Sequence, residues 1–383
     1  MALTISGVNI NGSLSAVHIP PPPPPATPLY LWSWGSGYVG AHGLGDETNR
    51  SSPTLIGALS TWASISNGSR IGAAIKTDGT MWIWGSGGLG LGDTTTRSSP
   101  VQIGALTTWL SVAAGNHSLA IKTDGTLWSW GNNNGGRLGL GNTTYYSSPK
   151  QVGAGTTWSK IKTGDSNFSL AIKTDGSLWS WGKNYNGQLG LGNSHGGTDR
   201  SSPIQVGALT NWLTVSSSYF SAYAIKTDGT MWAWGNNNGG RLGLGNSTYY
   251  SSPKQIGALT TWSNVQGGRN GSAIAVKTDG TMWTWGKNSY GTLGLSASSH
   301  YSNNKSSPTQ VGALTTWLTI TAGNYHMAAI KTDGTLWTWG FNQSGGLGLG
   351  NTTGISSPVQ VGALTNWLRV SGGYATTLAL APV

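Results

Sequence analysis

Short apolar segments separated by glycine-rich turns form the basic pattern of this chain. The clearest copy has four such segments, at 109–114, 118–122, 127–130 and 147–152. Asp124-Gly125 lies between the second and third segments, and Asp-Gly between two strand-like runs is a strong hairpin signal. Trp128 and Trp130 share one face, because side chains alternate along a strand. Pro149 fits an edge strand, where its missing N–H removes no ladder bond. The pattern predicts four antiparallel strands, A to D, without a helix.

The same pattern occurs seven times along the chain. Each copy contains Trp-x-Trp-Gly, which begins at Trp32, Trp82, Trp128, Trp179, Trp232, Trp283 and Trp337. A Ser-Ser-Pro and a third Trp follow each motif, so three Trp per repeat account for all 21 in the chain. A period of about 50 residues is typical of arrays and propellers. The strict repetition predicts that these indoles pack between repeats rather than form a sugar-binding surface.

The two ends of the repeat array predict a closed ring. The first repeat starts directly at strand C, with Leu31 and Trp32, and the last repeat ends at strand B, with 377–381. An open array needs capping units at both ends, whereas a ring can join its first and last strands in one blade. We therefore predict an all-β, seven-bladed β-propeller over residues 29–383, closed between strand C at 29–35 and strand B at 376–381.

The first 28 residues lack the repeat. Residues 1–19 alternate in polarity and predict an extended anchoring arm, with apolar positions at Leu3, Ile5, Val8 and Ile10. An unbroken proline run occupies Pro20–Pro25, and such a run favours a stiff polyproline linker that rises about 3.1 Å per residue. We assign residues 20–28 to this linker. It either joins the arm passively or holds it clear of the propeller.

Composition narrows the possible functions. The chain has no Cys, which excludes disulfides and thiolate metal sites. No secretory signal is visible at its start, and no segment approaches the roughly 20 apolar residues of a membrane helix, so we expect no membrane insertion. The net charge of +10 could favour nucleic acid. Six of the 21 cations, however, lie in Lys-Thr-Asp-Gly turns beside an Asp. The others are scattered along the chain and form no basic stripe, so we do not expect nucleic acid as a partner.

Residues for catalysis are scarce. The six His show no metal-ligand spacing, and Glu47 is the single Glu. Most Asp residues occupy turns, which Asp favours in its own right. Leu-Gly-Leu-Gly segments are followed by no helix and therefore form no phosphate loop. We expect no enzymatic activity, no metal and no cofactor.

The repeats of this chain resemble those of the regulator-of-chromosome-condensation repeat family. The resemblance is carried by 115–121, 125–131 and 136–141 and extends over about 29–383. It implies a seven-bladed propeller that works mainly through its loop surfaces, as do a nucleotide-exchange factor for a nuclear GTPase and a bacterial β-lactamase inhibitor. No exchange-factor residue can be carried over. The near-identity of 131–153 and 235–257 looks closer in character to bacterial and phage members.

An up-and-down strand order predicts two different faces. The B–C turns and D–A links should lie on one face, where their sequences are nearly uniform, and we call it the uniform face. The A–B and C–D loops should lie on the opposite, variable face, where repeats that share a scaffold often place binding. Aromatic and Arg side chains are typical interface anchors. The candidate partner-binding residues are therefore Arg70, His117, Phe168, Tyr219, Phe220, Arg269, Tyr325, His326 and Tyr374 in A–B loops, with Tyr145, Tyr146, Tyr249, Tyr250 and Tyr301 in C–D loops. Unrestrained drift of surface loops is the alternative.

The leading hypothesis from sequence is a non-enzymatic structural or adhesion module. It would be a phage virion component, tethered to an assembly partner by its arm and placed on a virion or extracellular surface. The alternatives are a soluble inhibitor or regulator that binds a protein through the variable face, and a lectin that binds a cell-surface glycan there.

Overall fold

The computed structural model of the chain describes residues 28–164, 167–296 and 303–383. These residues contain 28 β-strands. The predicted arm with Leu3, Ile5, Val8 and Ile10, and the linker as far as residue 27, lie outside the described residues.

The strands group into seven blades, which we number I to VII. The chain opens with β1 (Tyr30–Gly35) and β2 (Arg50–Leu55). Blade I has β3 (Trp62–Asn67), β4 (Ile71–Lys76), β5 (Met81–Gly85) and β6 (Arg97–Gln102). Blade II has β7 (Trp109–Ala113), β8 (His117–Lys122), β9 (Leu127–Gly131) and β10 (Tyr146–Gln151). Blade III has β11 (Trp158–Gly164), β12 (Phe168–Lys173), β13 (Leu178–Gly182) and β14 (Arg200–Gln205).

The second half of the ring follows the same order. Blade IV has β15 (Trp212–Ser217), β16 (Ser221–Lys226), β17 (Met231–Gly235) and β18 (Tyr250–Gln255). Blade V has β19 (Trp262–Gly267), β20 (Ser272–Lys277), β21 (Met282–Gly286) and β22 (Lys305–Gln310). Blade VI has β23 (Trp317–Ala322), β24 (His326–Lys331), β25 (Leu336–Gly340) and β26 (Ile355–Gln360). The chain closes with β27 (Arg369–Gly372) and β28 (Thr376–Ala381).

Each blade is a four-stranded antiparallel sheet, as predicted. In every blade the first strand, A, lies innermost, because it contacts the first strands of both neighbouring blades around the ring. Strand D lies at the outer edge, and its register shifts at Ser-Ser-Pro, as between β5 and β6. A proline at this outer edge interrupts no ladder to a further strand. Helical structure in the described residues consists of short 3-10 turns, among them Tyr38–Gly40, Asn134–Gly136, Asn238–Gly240 and Ser289–Gly291.

Both chain ends share blade VII, so the predicted ring closure is confirmed. Its strand order is β2-β1-β28-β27, and β1 pairs with β28 along its whole length, from Tyr30 opposite Ala381 to Gly35 opposite Thr376. This pairing joins the two ends of the chain by main-chain hydrogen bonds. Each blade keeps two edges, strand D at the outer rim and strand A at the centre, and radial repetition leaves such edges short and protected.

Tryptophan packing joins each blade to the next. The second Trp of every Trp-x-Trp-Gly motif is fully buried, namely Trp34, Trp84, Trp130, Trp181, Trp234, Trp285 and Trp339. Trp181 illustrates the arrangement, because its Nε1 donates to the carbonyl oxygen of Arg137 in the preceding blade at 2.8 Å. The third Trp of each repeat is also buried. The predicted core role is thus confirmed for these two positions, while the first Trp of each motif is only half-buried.

The Lys-Thr-Asp-Gly turns are built around that half-buried indole. In blade II, Asp124 accepts hydrogen bonds from the Thr126 hydroxyl and amide, and the Thr126 hydroxyl in turn accepts one from Trp128 Nε1. These bonds lower the pKa of the Asp124 carboxyl. Gly125 has a φ of +75°, which favours glycine. The Lys122 ammonium lies 3.7 Å from the Trp128 ring centroid, in a cation–π contact. The turn lysines therefore cover indoles in addition to lying beside an Asp.

The closing strand gives a direct test of how strongly the ring depends on its last residues. Leu380 in β28 is fully buried, whereas Leu364 in a D–A link is 40% exposed. We expect Leu380→Ala to lower the free energy of unfolding by about 2 to 5 kcal/mol, since it leaves a cavity between blades. Leu364→Ala should change it by less than about 0.5 kcal/mol. Denaturant unfolding followed by tryptophan fluorescence measures both, and equal effects would contradict the packing described here.

Candidate binding face

The main-chain hydrogen bonds confirm that the loops divide between two faces. On the variable face, A–B loops of successive blades are bonded together, as where Tyr374 N–H donates to the Gly68 carbonyl. On the uniform face, the D–A link bonds to the B–C turn, as where Trp109 N–H donates to the Gly79 carbonyl. Leu29 lies on the uniform face, because its carbonyl accepts from Trp62 N–H. The described chain therefore enters on the face opposite the variable loops.

The uniform face is regular in both charge and apolar exposure. Its six Lys-Thr-Asp-Gly turns contribute equal numbers of Lys and Asp. Six leucines of the Gly-Ala-Leu links are 40% to 49% exposed around it, namely Leu59, Leu106, Leu209, Leu259, Leu314 and Leu364. The seventh link has Gly155 at the same position.

The variable face carries an excess of positive charge. Its loops and adjoining strand ends hold eleven cations, Arg50, Arg70, Arg97, Arg137, Lys162, Lys183, Arg200, Arg241, Arg269, Lys287 and Lys305. The acids described there are four, Asp46, Glu47, Asp93 and Asp199. Cations that look scattered along the chain are therefore concentrated by the fold on one face.

Arg269 crosses the mouth of the central channel. It belongs to the A–B loop of blade V, and its guanidinium donates to the hydroxyl of Ser69 in blade I. The same guanidinium lies 5.7 Å from the Tyr219 ring and 5.4 Å from the Tyr374 ring. Three of these four residues, all except Ser69, were predicted as site residues from sequence. The fold brings them together from blades that are far apart in the chain.

Below this mouth lies a polar cavity of about 310 Å³. Its wall includes Lys162, whose ammonium donates to the Gln266 side-chain oxygen at 3.3 Å from two blades away. Hydroxyl and amide groups make up most of the polar lining. No Asp or Glu of the described residues lines the cavity.

An aromatic cluster flanks the channel mouth. Tyr290, Tyr325 and Phe341 pack against one another, with ring centroids 4.7 to 6.0 Å apart. Tyr290 is 49% exposed. Elsewhere on the face, the Arg70 guanidinium lies 5.4 Å from the ring of Tyr38, which is itself exposed.

Sequence reasoning missed four aromatic residues of this face, Tyr38, Tyr185, Tyr290 and Phe341. The first three lie in C–D loops four or five residues after the second Trp of the motif, and all three are exposed. Phe341 directly follows that motif's Gly340. Sequence variation among the repeats, in the Gly- and Asn-rich stretch after Trp-x-Trp-Gly, would have indicated these residues. The prediction considered only the part of the C–D loop nearest Ser-Ser-Pro.

Three predicted contact residues are instead buried between blades, so the prediction that they contact a partner is wrong. His117, Phe168 and His326 each begin strand B, where the side chain points into the neighbouring blade. His117 Nε2 lies 2.7 Å from Ser169 Oγ, and His326 Nε2 lies 3.0 Å from Thr377 Oγ1. Phe168 packs in an apolar cluster that includes Ala222, the residue at the corresponding place in the next blade. Polar residues thus meet polar partners and the apolar residue an apolar one.

The remaining predicted tyrosines lie at the outer rim. Tyr145 and Tyr249 are 41% and 48% exposed. Tyr146 and Tyr250 are half-buried, and each hydroxyl accepts a hydrogen bond from an Asn side chain of its own C–D loop. Tyr301 lies outside the described residues. The rim pairs are therefore separate from the channel-mouth group, although they lie on the same face.

Within the described ranges, no three His, Asp or Glu side chains come together as metal ligands. A helix long and apolar enough to cross a membrane is likewise not found there.

The fold and its faces define a seven-bladed β-propeller with one uniform and one variable surface. The chain matches the RCC1-like domain over residues 30–379, and it belongs to that family. Its sequence is 31% identical over 195 residues to the human (Homo sapiens) E3 ubiquitin-protein ligase HERC2, a match that covers 49% of this chain and 4% of HERC2. It is 32% identical over 194 residues to the ultraviolet-B receptor UVR8 of Arabidopsis thaliana, covering 49% of this chain and 42% of UVR8. Each match thus spans less than half of the relative.

Solved structures show the same fold. Prp20p from Saccharomyces cerevisiae superimposes with a TM-score of 0.81 at 20% identity, over 93% of this chain and 92% of Prp20p. Human WBSCR16 superimposes with a TM-score of 0.80 at 20% identity, over 92% of this chain and 100% of that one. The Prp20p structure was described together with its binding to Gsp1p and histones.

Burial of His326 predicts a specific pH dependence of stability. Desolvation lowers the pKa of His326 to about 4, below its ordinary 6.5. Between these values the unfolded chain binds a proton that the folded chain does not, so stability is complete above pH 6.5 and falls as pH decreases towards 4. The shift corresponds to a loss on the order of 3 kcal/mol.

A double variant that introduces the apolar residue pair found between blades III and IV tests whether His326 causes this pH dependence. His326→Phe with Thr377→Ala imitates Phe168 and Ala222 and removes the titrating group. We expect its denaturation midpoint to fall less steeply than the natural chain's between pH 6.5 and 4. If both proteins lost stability in parallel across that window, His326 would not be the cause.

Proposed function

We propose that this chain is a non-enzymatic protein-binding module that acts through its variable face. The observation that supports this most is the channel-mouth group, in which Arg269 lies between two tyrosines from other blades. Arg and Tyr are enriched at the energetically dominant positions of protein interfaces. The Tyr290 cluster extends the same surface outward. Both groups stand on loops that are hydrogen-bonded from blade to blade, so little ordering is required on binding.

The family relationship supports the same proposal. Prp20p is described as binding Gsp1p and histones, and a second structure shows yeast RCC1 (Prp20) with Kap60. These are proteins of this fold that are described as binding other proteins. The partners themselves are not transferred to this chain, since 20% identity relates the folds alone.

A lectin function is less well supported. Stacking of a sugar needs an open aromatic face, and the half-buried Trp of six repeats has the turn Lys over its ring, at 3.7 to 4.8 Å from the centroid. The other two Trp of each repeat are buried. A soluble inhibitor or regulator, by contrast, is one form of the protein-binding function proposed above.

The binding face can be tested with two matched triple variants. One removes Tyr219, Phe220 and Tyr325 from the variable face by substitution with Ala. The control replaces the exposed uniform-face residues Leu209, Leu259 and Leu314 with Ala. Affinity capture from a lysate of the source cells, quantified by mass spectrometry, should show at least one protein retained by the natural chain and the control but depleted at least about fivefold by the first variant.

Capture of the same proteins by all three forms would contradict a binding role for the variable face. Circular dichroism of each variant checks that the propeller is intact, since all six positions are at least partly exposed.

Attachment through the arm extends this proposal. In this extension, residues 1–19 join the propeller to an assembly partner while the variable face points away from it. We expect the full chain to form a defined multimer by light scattering and a version without residues 1–28 to be monomeric. If both were monomers, self-assembly through the arm would be ruled out. A place in a phage virion or on an extracellular surface stays a prediction from sequence, which mass spectrometry of purified particles can test.

A further inference from the structure

Some cations of the variable face are paired with an acid or buried. Arg50 and Arg97 are each held by an Asp four residues earlier, at 2.6 and 2.7 Å. Arg137 and Arg241 are almost fully buried, and each Nε donates to a carbonyl oxygen of its own 3-10 turn. Burial lowers the pKa of Arg137 to about 10. These four residues mainly support the C–D loops.

Two half-buried lysines border the inner part of the face. Lys183 lies against Gly135 of the preceding blade, and Lys287 lies in the same way against Gly239. Any side chain at either glycine would collide with the lysine stem. Desolvation and the neighbouring Arg241 lower the pKa of Lys287. Equivalent glycine-lysine pairs therefore place a positive charge at two positions around the ring.

The centre of the face is Arg269. Its guanidinium is oriented by the Ser69 hydroxyl and by the Tyr219 and Tyr374 rings, and residues from three other blades therefore hold it in place. A guanidinium held in this way loses little freedom when it binds, and its planar fork suits the two oxygens of a carboxylate. Lys162 adds a second cation in the wall of the cavity beneath.

We infer that the variable face binds an acidic protein segment and that the Arg269 guanidinium receives one of its carboxylate groups at the channel mouth. This inference rests on the proposed function and names the chemical class of the partner. Charge complementarity supports it, since the described part of the face has eleven cations and four acids. This excess is larger than on the uniform side, where Lys150, Lys160, Lys254 and Arg369 add four cations to the six balanced turns. Complementary charge increases the association rate and selects among partners.

A nucleic acid would be attracted by the same charge, but the aromatic geometry favours a protein. Single-stranded nucleic acid binds by stacking its bases on open aromatic faces. Here guanidinium groups lie over the rings of Tyr38, Tyr219 and Tyr374, and Tyr290 packs against its aromatic neighbours at steep angles. The cations also come from separate blades around a ring rather than forming a stripe that a phosphate backbone could follow.

Fluorescence anisotropy with the full chain tests the inference directly. The probes are a fluorescein-labelled decaglutamate peptide and a fluorescein-labelled oligo-dT of equal charge, each titrated at about 50 and about 200 mM salt. The test variant is Arg269→Gln. The matched control is Arg369→Gln, which removes an exposed arginine at the uniform-face end of an innermost strand.

We expect the peptide to bind the natural chain, more weakly at higher salt. Arg269→Gln should raise its Kd about tenfold, in the range of an interface anchor, while Arg369→Gln changes it less than about twofold. Arg269→Lys should give an intermediate Kd, because it keeps the charge but loses the fork. This second variant also separates a loss of recognition from a loss of folding.

Three results would overturn the inference. They are no measurable peptide binding, equal weakening by Arg269→Gln and Arg369→Gln, and tighter binding of oligo-dT than of the peptide with dependence on Arg269. The last would assign the face to nucleic acid. None of them decides the outcome of the capture experiment with the Tyr219, Phe220 and Tyr325 variant, so failure of this inference can be told apart from failure of the proposed function.

Discussion

The structure depends on one interaction that is repeated around the ring, the burial of an indole between neighbouring blades. In six of the seven blades the N–H of this Trp donates to a carbonyl oxygen in the preceding blade's C–D loop, as from Trp34 to Gly346 and from Trp234 to Gln188. A single blade has no opposite surface on which to bury its apolar side chains. Each Trp therefore stabilises two blades together, and the hydrogen bond fixes the position of a loop on the variable face.

This arrangement separates the residues that maintain the fold from those that can vary. The strands, Lys-Thr-Asp-Gly turns and D–A links recur with little change, since each must fit both neighbours. The A–B and C–D loops are attached at their ends and are otherwise free to differ. Variation that does reach the interior is matched across blades, as where His117 meets Ser169 but Phe168 meets Ala222. A buried polar atom needs a hydrogen-bonding partner, whereas an aromatic ring needs apolar contact.

Charge follows the same separation. The turn cations of the uniform face lie over indoles and are matched in number by the turn Asp residues, so the turns add no net charge. The larger excess of positive charge lies on the opposite face, where Arg269 is held by groups from three other blades. Along the chain, Ser69 and Arg269 are 200 residues apart. Their contact exists only because the ring brings every A–B loop to the same channel mouth.

The sequence by itself determined the architecture of this protein. Seven in-phase repeats, strand-length alternation, Asp-Gly turns and incomplete terminal repeats predicted the blades, the strand order and the closing pair, because each of these depends on local propensity and on a period that can be read directly. The assignment of loops to two faces followed from the same alternation, and so did the selection of Arg269, Tyr219 and Tyr374.

Only the tertiary structure decided which candidate residues can meet a partner. His117, Phe168 and His326 occupy a loop–strand boundary, where a shift of one residue turns a side chain from solvent into the neighbouring blade. Tyr38, Tyr185 and Tyr290 are exposed on the predicted variable face, but in a part of the C–D loop that the prediction did not consider. The concentration of cations on one face was also invisible along the chain. The buried residues, the exposed tyrosines and the concentration of cations share one physical reason. Exposure and surface charge depend on which distant segments pack beside a residue, and the closed ring decides that packing.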